Sequence, residues 1–494
     1  MQLRQSELIK KIMTTSTEEK PIAAGITICV LAKGRTDFLR SALDSIFTQN
    51  ELPQETIVLT TVDSSESSDL VNSLKEKHGD GLRLLLSAEA KDGAARNSGV
   101  SECKTPYILW LNEEDALAVG AIEQARQACE KMPEAEVIYF QQMLADKDLV
   151  PSTLIPSLTS HEADDLYKIL RFDPIPSSGT LIKVELATKL GGYNEKYSLV
   201  SEWDFWAKAA SAKAYFHSCP TVGSYKRANQ DDFATQSKLK EVAAERIQAI
   251  EEVISQNKVE EIFAHLDWTV DPEEALLKGC IELATLLCRF GGHNSAIEAL
   301  KRADIGQNPA MVSFLTELIS QARDCGAAGI ESLVQHDYFF SAQAQLITDA
   351  LLEFHCSDEV RDVVHIFLWE RQLGKYGLRT LFNSLSWSEN PTESTALANA
   401  GAAAHYVLFG GYGTAIERLR AKDSEVPEEI SIYAEELIEA FDAGGMERVD
   451  SHKRSELFDH PIIEQLLIAL RTRAKRYLVN GRKPPRIGFV AKRS

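Results

Sequence analysis

The feature that most constrains this chain is a change of periodicity near residue 235. Before it, short apolar runs alternate with segments whose apolar residues recur three and four apart. Ile26 to Leu31 (ITICVL) is a strand-length run, and Asp37 to Phe47 carries Phe38, Leu39, Ala42, Leu43 and Ile46 at helical spacing. Thr56 to Thr61 then predicts a second strand, Ser67 to Lys77 a second helix and Leu82 to Leu86 a third strand; Ala94 to Val100 opens a helix, and Tyr107 to Leu111 makes a fourth strand. Strand and helix in strict alternation predict an α/β domain with a mostly parallel sheet and helices on both faces. From about residue 240 the pattern is helical throughout, as in KLKEVAAERIQAIEEVI, EEALLKGCIELATLLCRF and ISIYAEELIEAF, which predicts an all-α second half.

The helical half contains internal echoes. Phe290 to Leu300 reads FGGHNSAIEAL and Phe409 to Leu419 reads FGGYGTAIERL, with a weaker echo, GKYGLRTLF, at Gly374 to Phe382. An apolar helix, a glycine turn and a helix opening on small residues resemble tetratricopeptide-type hairpins, although the copies are irregularly spaced and an ordinary helical bundle stays open as the alternative. His293 reads as a turn residue. The chain's last residues, KPPRIGFVAKRS, read as a linker with the start of a further strand, or as a tail.

A chain of 494 residues implies two or three domains. A net charge of -20 argues against nucleic acid or an anionic membrane as the main partner, leaving local basic grooves open. No eighteen-residue apolar run occurs, and the first twenty-five residues lack the apolar core of a signal peptide, so a cytoplasmic protein without a transmembrane segment is expected. The eight cysteines form no C-x-x-C pair and read as buried free thiols rather than a disulfide frame or zinc site.

The most pointed local feature is YILWLNEEDAL at residues 107 to 117, where an apolar run ends in Asn112, Glu113, Glu114 and Asp115. Acid at the C-terminal edge of a buried strand either faces water or holds a cation, and in parallel sheets ligands bind at that edge.

Four segments in order now support a family resemblance. ITICVLAKGRTDFLRSALDSIFTQ, GAARNSGV at Gly93 to Val100, YILWLNEEDAL, and SEWDFWAKAA at Ser201 to Ala210, this last preceded by SGTLIKVELATKLGGYNEKY, together resemble the family 2 glycosyltransferases over residues 25 to about 230. The resemblance implies a GT-A nucleotide-sugar-binding domain at 22–235, after an N-terminal segment at 1–21 and before a helical-repeat-like domain at 240–480 and a linker or further strand at 481–494. It also implies an inverting transfer from a nucleotide-sugar donor to a glycan or protein acceptor, with a divalent metal, manganese or magnesium, offsetting the charge on the departing diphosphate.

Residue by residue, the resemblance places the D-x-D positions on Asn112 and Glu114, with Asp115 adjacent, so Glu114 and Asp115 are the metal candidates. Arg35, Asp63, Asp92, Arg96 and Asn112 are the nucleotide-sugar candidates. Glu202 takes the place of the catalytic base, with Ser201 where an acid usually precedes it, and Trp203 is the acceptor-stacking candidate. Arg96 could instead pair with Asp92 or Glu102 at the surface, and Asp204 reads as a helix-start acid. Lys226 and Arg227 could reach phosphate from the segment holding His217 and Tyr225.

The sequence departs from the family pattern at Gly34, where an asparagine is usual, and at Thr60 and Thr61, where aspartates usually read the base. These departures leave a second reading open: a catalytically degenerate domain acting with the helices as a binding or scaffold module for a protein partner. Nucleotidyl transfer is disfavoured because no glycine-rich, lysine-containing phosphate loop follows the first strand.

Overall fold

The computed structural model describes residues 22–60, 65–79, 81–86, 91–163, 165–171, 175–228, 236–303, 308–452 and 457–478. The chain falls into two compact units, Met1–Gly279 and Cys280–Ser494. The segments expected at 1–21 and 481–494 lie outside the described residues, as do Thr61 and Asp63.

In the first unit the alternating pattern becomes β1 (Ile22–Ala32), α1 (Thr36–Phe47), β2 (Leu52–Thr60), α2 (Ser65–His78), β3 (Leu82–Leu86), α3 (Asp92–Glu102) and β4 (Tyr107–Asn112). These strands lie in the order β3, β2, β1, β4, all parallel. The chain continues through β5 (Ala116–Leu117), α4 (Ala121–Lys131), β6 (Val137–Ala145), β7 (Pro151–Ile155), α5 (Ser160–Ala163), α6 (Leu166–Arg171), β8 (Thr180–Lys183), α7 (Val184–Lys189), α8 (Ser201–Ser211) and β9 (Phe216–Arg227). They extend the same sheet beyond β4 as β8, β6, β9, β5, with β7 on β6, and every added pair is antiparallel except β6 with β9. The parallel region is thus the first four strands, and the remainder is mixed.

Both faces of the parallel region are covered, which is why its strands are apolar without alternation. On one face Ile28, Val30, Val58, Leu109 and Leu111 pack with Leu39, Ala42, Leu43 and Ile46 of α1, whose spacing puts them on one stripe. On the other, α3 comes so close that a Cβ on Gly99 would lie 2.9 Å from Leu59 and 3.2 Å from Trp110.

From Gln236 the described elements are helical: α9 (Gln236–Gln256), α10 (Val259–Ile262), α11 (Pro272–Arg289), α12 (His293–Lys301), α13 (Pro309–Cys325), α14 (Ala327–Ser332), α15 (Ala342–His355), α16 (Asp358–Leu381), α17 (Pro391–Leu408), α18 (Tyr412–Arg420), α19 (Glu428–Ser451) and α20 (Pro461–Leu478). Four helices recur at one constant offset, that from Pro272 to Pro391: α11, α12, α13 and α15 begin at Pro272, His293, Pro309 and Ala342, and α17, α18, α19 and α20 at Pro391, Tyr412, Glu428 and Pro461. Local detail follows the same offset. Gly291 and Gly410 both sit at φ +83°, and Gly326 and Gly445 at +60° and +68°. Trp268 donates its indole N–H to the Phe263 carbonyl at 2.9 Å, and Trp387 donates to the Phe382 carbonyl at 2.8 Å.

The helical half therefore holds two long copies of one arrangement. The echo at Gly374 to Phe382 spans the kink at Gly377 at the end of α16 and corresponds to Ser255 to Phe263, not to the glycine turns at Gly291 and Gly410. The second copy encloses its own core, in which Trp369, Tyr406, Tyr433, Leu437, Phe441, Leu466 and Leu470 are buried. All eight cysteines are free; Cys29, Cys219, Cys280 and Cys288 are buried, whereas Cys325 is exposed. Among the described residues no helix is long and apolar enough to cross a membrane.

Candidate active site at the strand edge

The strand order reverses between β1 and β4, and the two strands end side by side, with Leu31 in register with Asn112. A crevice at the carboxyl ends of such neighbours is where parallel sheets bind ligands. After β1 the chain turns through Lys33, Gly34 and Arg35. Gly34 has φ +94°, a conformation open to glycine and tolerated by asparagine, which is the physical sense of that exchange.

The acidic segment divides into buried and accessible members. The Glu113 N–H donates to the Leu31 carbonyl at 3.0 Å, and its carboxylate accepts the Arg35 N–H at 3.3 and 3.4 Å. Glu113 is buried, and burial raises its carboxyl above the usual range. Its inward turn has no signature in the sequence, because side-chain direction after a strand end does not follow from composition. Asp115 is also buried: it accepts the Ser178 hydroxyl at 2.6 Å and the Arg227 N–H at 3.2 Å. Burial pushes its carboxyl up to about 7, against the opposing pull of the Ser178 hydrogen bond. Asn112 donates its N–H to the Ser178 Oγ at 3.1 Å, which makes Ser178 a second unforeseen member of this segment.

These contacts separate the two expected metal ligands, Glu114 and Asp115. Both oxygens of Asp115 are taken by the protein, Asn112 brings no charge, and Glu114 is left as the one accessible carboxylate of the segment. Among the described residues no three His, Cys, Asp or Glu side chains converge to hold a cation. One accessible carboxylate and an amide oxygen are a sparse donor set for a divalent metal, which would have to complete its oxygen shell from the phosphates of a bound nucleotide and water.

Cations are better represented. Lys33 places its Nζ 2.8 Å from Asp92 Oδ2 at the start of α3, with its side chain 49% exposed. Arg35 is exposed and lies 3.8 Å from the Phe38 ring centroid. Lys226 is exposed, but Arg227 is buried and donates to the carbonyls of Glu114, at 2.9 Å, and Lys147. Arg227 thus braces the acidic turn instead of reaching a ligand. Thr60, the last residue of β2, is buried.

One turn along α3 from Asp92, Arg96 is buried and pairs with Glu202 Oε2 at 3.1 Å. Its guanidinium carbon sits 4.7 Å from the Trp110 ring and 5.4 Å from that of Tyr193. The surface pairs considered for Arg96 do not form: Glu102 pairs with Arg83 at 2.9 Å and Asp92 with Lys33. Arg96 is thus buried on Glu202 instead of exposed at the strand edge. The next residue locks the motif in place. Asn97 accepts the Tyr193 N–H at 2.7 Å and donates to the Tyr193 carbonyl at 3.0 Å, while a Cβ on Gly192 would lie 2.5 Å from Asn97 Oδ1. The segments GAARNSGV and LGGY are therefore two halves of one joint.

Glu202 stands in the first turn of α8 with its side chain 18% exposed, where the helix dipole favours an anion. Its neighbours face the core. Trp203 is buried and donates its indole N–H to the Ile169 carbonyl at 2.9 Å, so it has no open face for a sugar, a correction to its acceptor role. Trp206 is fully buried, and buried Asp204 pairs with Lys208 at 2.7 Å. His293, in the other half of the chain, opens α12 after the glycine turn and meets His355 at 3.0 Å between their Nε2 atoms.

Residues 27–153 match the family model described as Glycosyl transferase family 2. An uncharacterized glycosyltransferase of Rickettsia felis is 22% identical over 190 residues, 37% of this chain and 31% of that protein. One from Rickettsia prowazekii is 22% identical over 187 residues, 37% of this chain and 58% of its own length. The chain thus spans less than two thirds of the length of these curated relatives. Among solved structures, S. aureus TarS 1-349 in complex with UDP-GlcNAc is 13% identical with a TM-score of 0.39, over 72% of this chain and 89% of that one. The mannosyltransferase PcManGT from Pyrobaculum calidifontis, in complex with GDP-Man and Mn2+, is 15% identical with a TM-score of 0.38, over 71% and 94%. Residues 27–153 carry a family 2 glycosyltransferase domain, set in a sheet with helices and followed by a helical region.

Proposed function

We propose that this chain is an inverting glycosyltransferase that moves a sugar from a nucleotide-sugar donor to a glycan or protein acceptor, through a domain spanning about residues 22–235. The observation that carries the reading is the pairing of Glu202 with Arg96, on the helix that also brings Asp92 to the strand edge. A partly accessible carboxylate is thereby fixed against the helix whose first turn holds Asp92 beside Lys33. In the proposed step Glu202 takes the proton of an acceptor hydroxyl while that oxygen attacks the anomeric carbon. The bond from that carbon to the diphosphate breaks on the opposite side, the diphosphate leaves with the electron pair, and the anomeric centre inverts. A divalent cation would have Glu114, the Asn112 amide oxygen and the donor's own phosphates as ligands, and no step is assigned to one. The helical half is proposed to position the acceptor or a protein partner.

The first test is calorimetric titration of UDP, GDP and CDP, with and without manganese, followed by transfer assays with the nucleotide that binds. Binding of one nucleotide is the expected result. Glu202→Gln should then lower transfer by about 10²–10⁴-fold, the range of general-base catalysis, with nucleotide affinity held within about twofold. Unchanged turnover would remove Glu202 from the chemistry. Asn112 in place of an acid and the buried state of Asp115 and Trp203 favour the second reading, a degenerate domain acting as a scaffold. Failure of a folded protein to bind any nucleotide would support it.

A further inference from the structure

Resting on the glycosyltransferase reading, we infer that Lys33, with Arg35 beside it, is the cation that holds the donor's diphosphate, so that nucleotide binding requires no divalent metal. The placement comes first. Lys33 follows directly on β1, whose end lies beside the Asn112 end of β4 where the strand order reverses. A diphosphate seated at that edge would meet Lys33 and Arg35 on the two sides of Gly34, both exposed.

The second argument is charge. Of the four described carboxylates at the edge, Glu113 and Asp115 are buried and hydrogen-bonded by the protein. Asp92 already faces an ammonium, which among the described residues leaves Glu114 as the single carboxylate for a metal. One carboxylate and an amide give a divalent cation few protein ligands and leave it dependent on phosphate and water, whereas an ammonium offsets charge on a phosphate without any assembled ligand set. Lysine serves phosphate as a point charge with three donors, and this suits a leaving group whose charge grows as its bond breaks.

Third, Lys33 is held ready. Burial works against its charge, yet Asp92, then Glu114, raise its ammonium above the usual lysine range, so it stays protonated. Its contact with Asp92 is an exchangeable one, because the Asp92 side chain is 29% exposed and can return to water when a phosphate replaces it. Compensation of charge is then preserved before and after binding.

The experiment is calorimetric titration of UDP, GDP and CDP into the full chain in EDTA and again in manganese, on the parent and on Lys33→Met and Lys33→Arg. The expected result is one nucleotide binding within about twofold in the two buffers, at least tenfold weaker binding to Lys33→Met, and retention by Lys33→Arg within a few fold. An unchanged unfolding midpoint for Lys33→Met will show that the loss is local. Binding that appears only with manganese, or metal-free binding that Lys33→Met leaves intact, overturns the inference and keeps the nucleotide-sugar reading. No binding of any nucleotide in either buffer overturns both.

Discussion

At the scale of single residues, the site is organised by an ion pair between a buried arginine and a part-buried glutamate. Arg96 and Glu202 are far apart in sequence, and each is intelligible by itself: an arginine in a glycine-rich helix and an acid in a first helical turn. Their partnership was not legible, because both had plausible partners nearby and only the packing of Trp110 and Tyr193 around the guanidinium excludes water from that side. Removing one member of such a pair strands the other. Arg96→Met should therefore cost about 3 kcal/mol in urea denaturation, with part recovered when Glu202→Gln is added. Asp115 teaches the converse point. Acid after a buried strand is usually solvated, so nothing in NEED announced that its last member turns inward onto Ser178.

At the scale of elements, the four parallel strands and their helices were readable because hydrophobic periodicity is strong where both faces of a sheet are covered. The weaker second half of the sheet was not, since β5 and β8 are two and four residues long and leave little period to read. The seat of α3 depends on an absent side chain. Gly99→Val should lower stability by about 1–3 kcal/mol and, by lifting Arg96 off its rings, reduce transfer as well; denaturation midpoints and initial rates measure the two effects. The His293 and His355 contact between α12 and α15 carries a pH dependence. Burial, then the neighbouring His355, push His293 down to about 4, below its unfolded value of about 6.5. The unfolded state thus binds the extra proton, and stability present above pH 6.5 is lost as pH falls toward 4. Between pH 7 and 5 the loss should be about 1–2 kcal/mol after solvent screening, and His293→Phe should flatten that slope in chemical denaturation.

At the scale of the whole molecule, the two long helical copies set what can be separated. The second copy closes its own core from Ile366 to Ala474. A fragment covering residues 357–478 is accordingly expected to fold alone, giving a helical circular dichroism spectrum and a single cooperative unfolding transition. A gradual, non-cooperative melt would count against this. The copies were legible only at FGGHNSAIEAL and FGGYGTAIERL, because a turn at φ +83° and a close helix approach tolerate few residues. Elsewhere a position had only to remain apolar, so its identity drifted while helix starts kept their offset.

The glycine turns also show how far that drift has gone. A Cβ on Gly291 would run into the ring of Phe354, and one on Gly410 into the guanidinium of Arg473, the corresponding position. Arg473 is fully buried with Asp362, 3.0 Å away, and also donates to the Leu408 carbonyl and the Tyr412 hydroxyl. One turn is thus covered by a ring still 40% exposed, which can be exchanged for another of similar shape in a single mutational step. Its twin is closed by a latch of two opposite charges, neither of which can be discarded first without stranding the other in a dry interior. The two corresponding seams are therefore unequal in their freedom to change: the first can be altered one residue at a time, while the second binds both of its partners to change together.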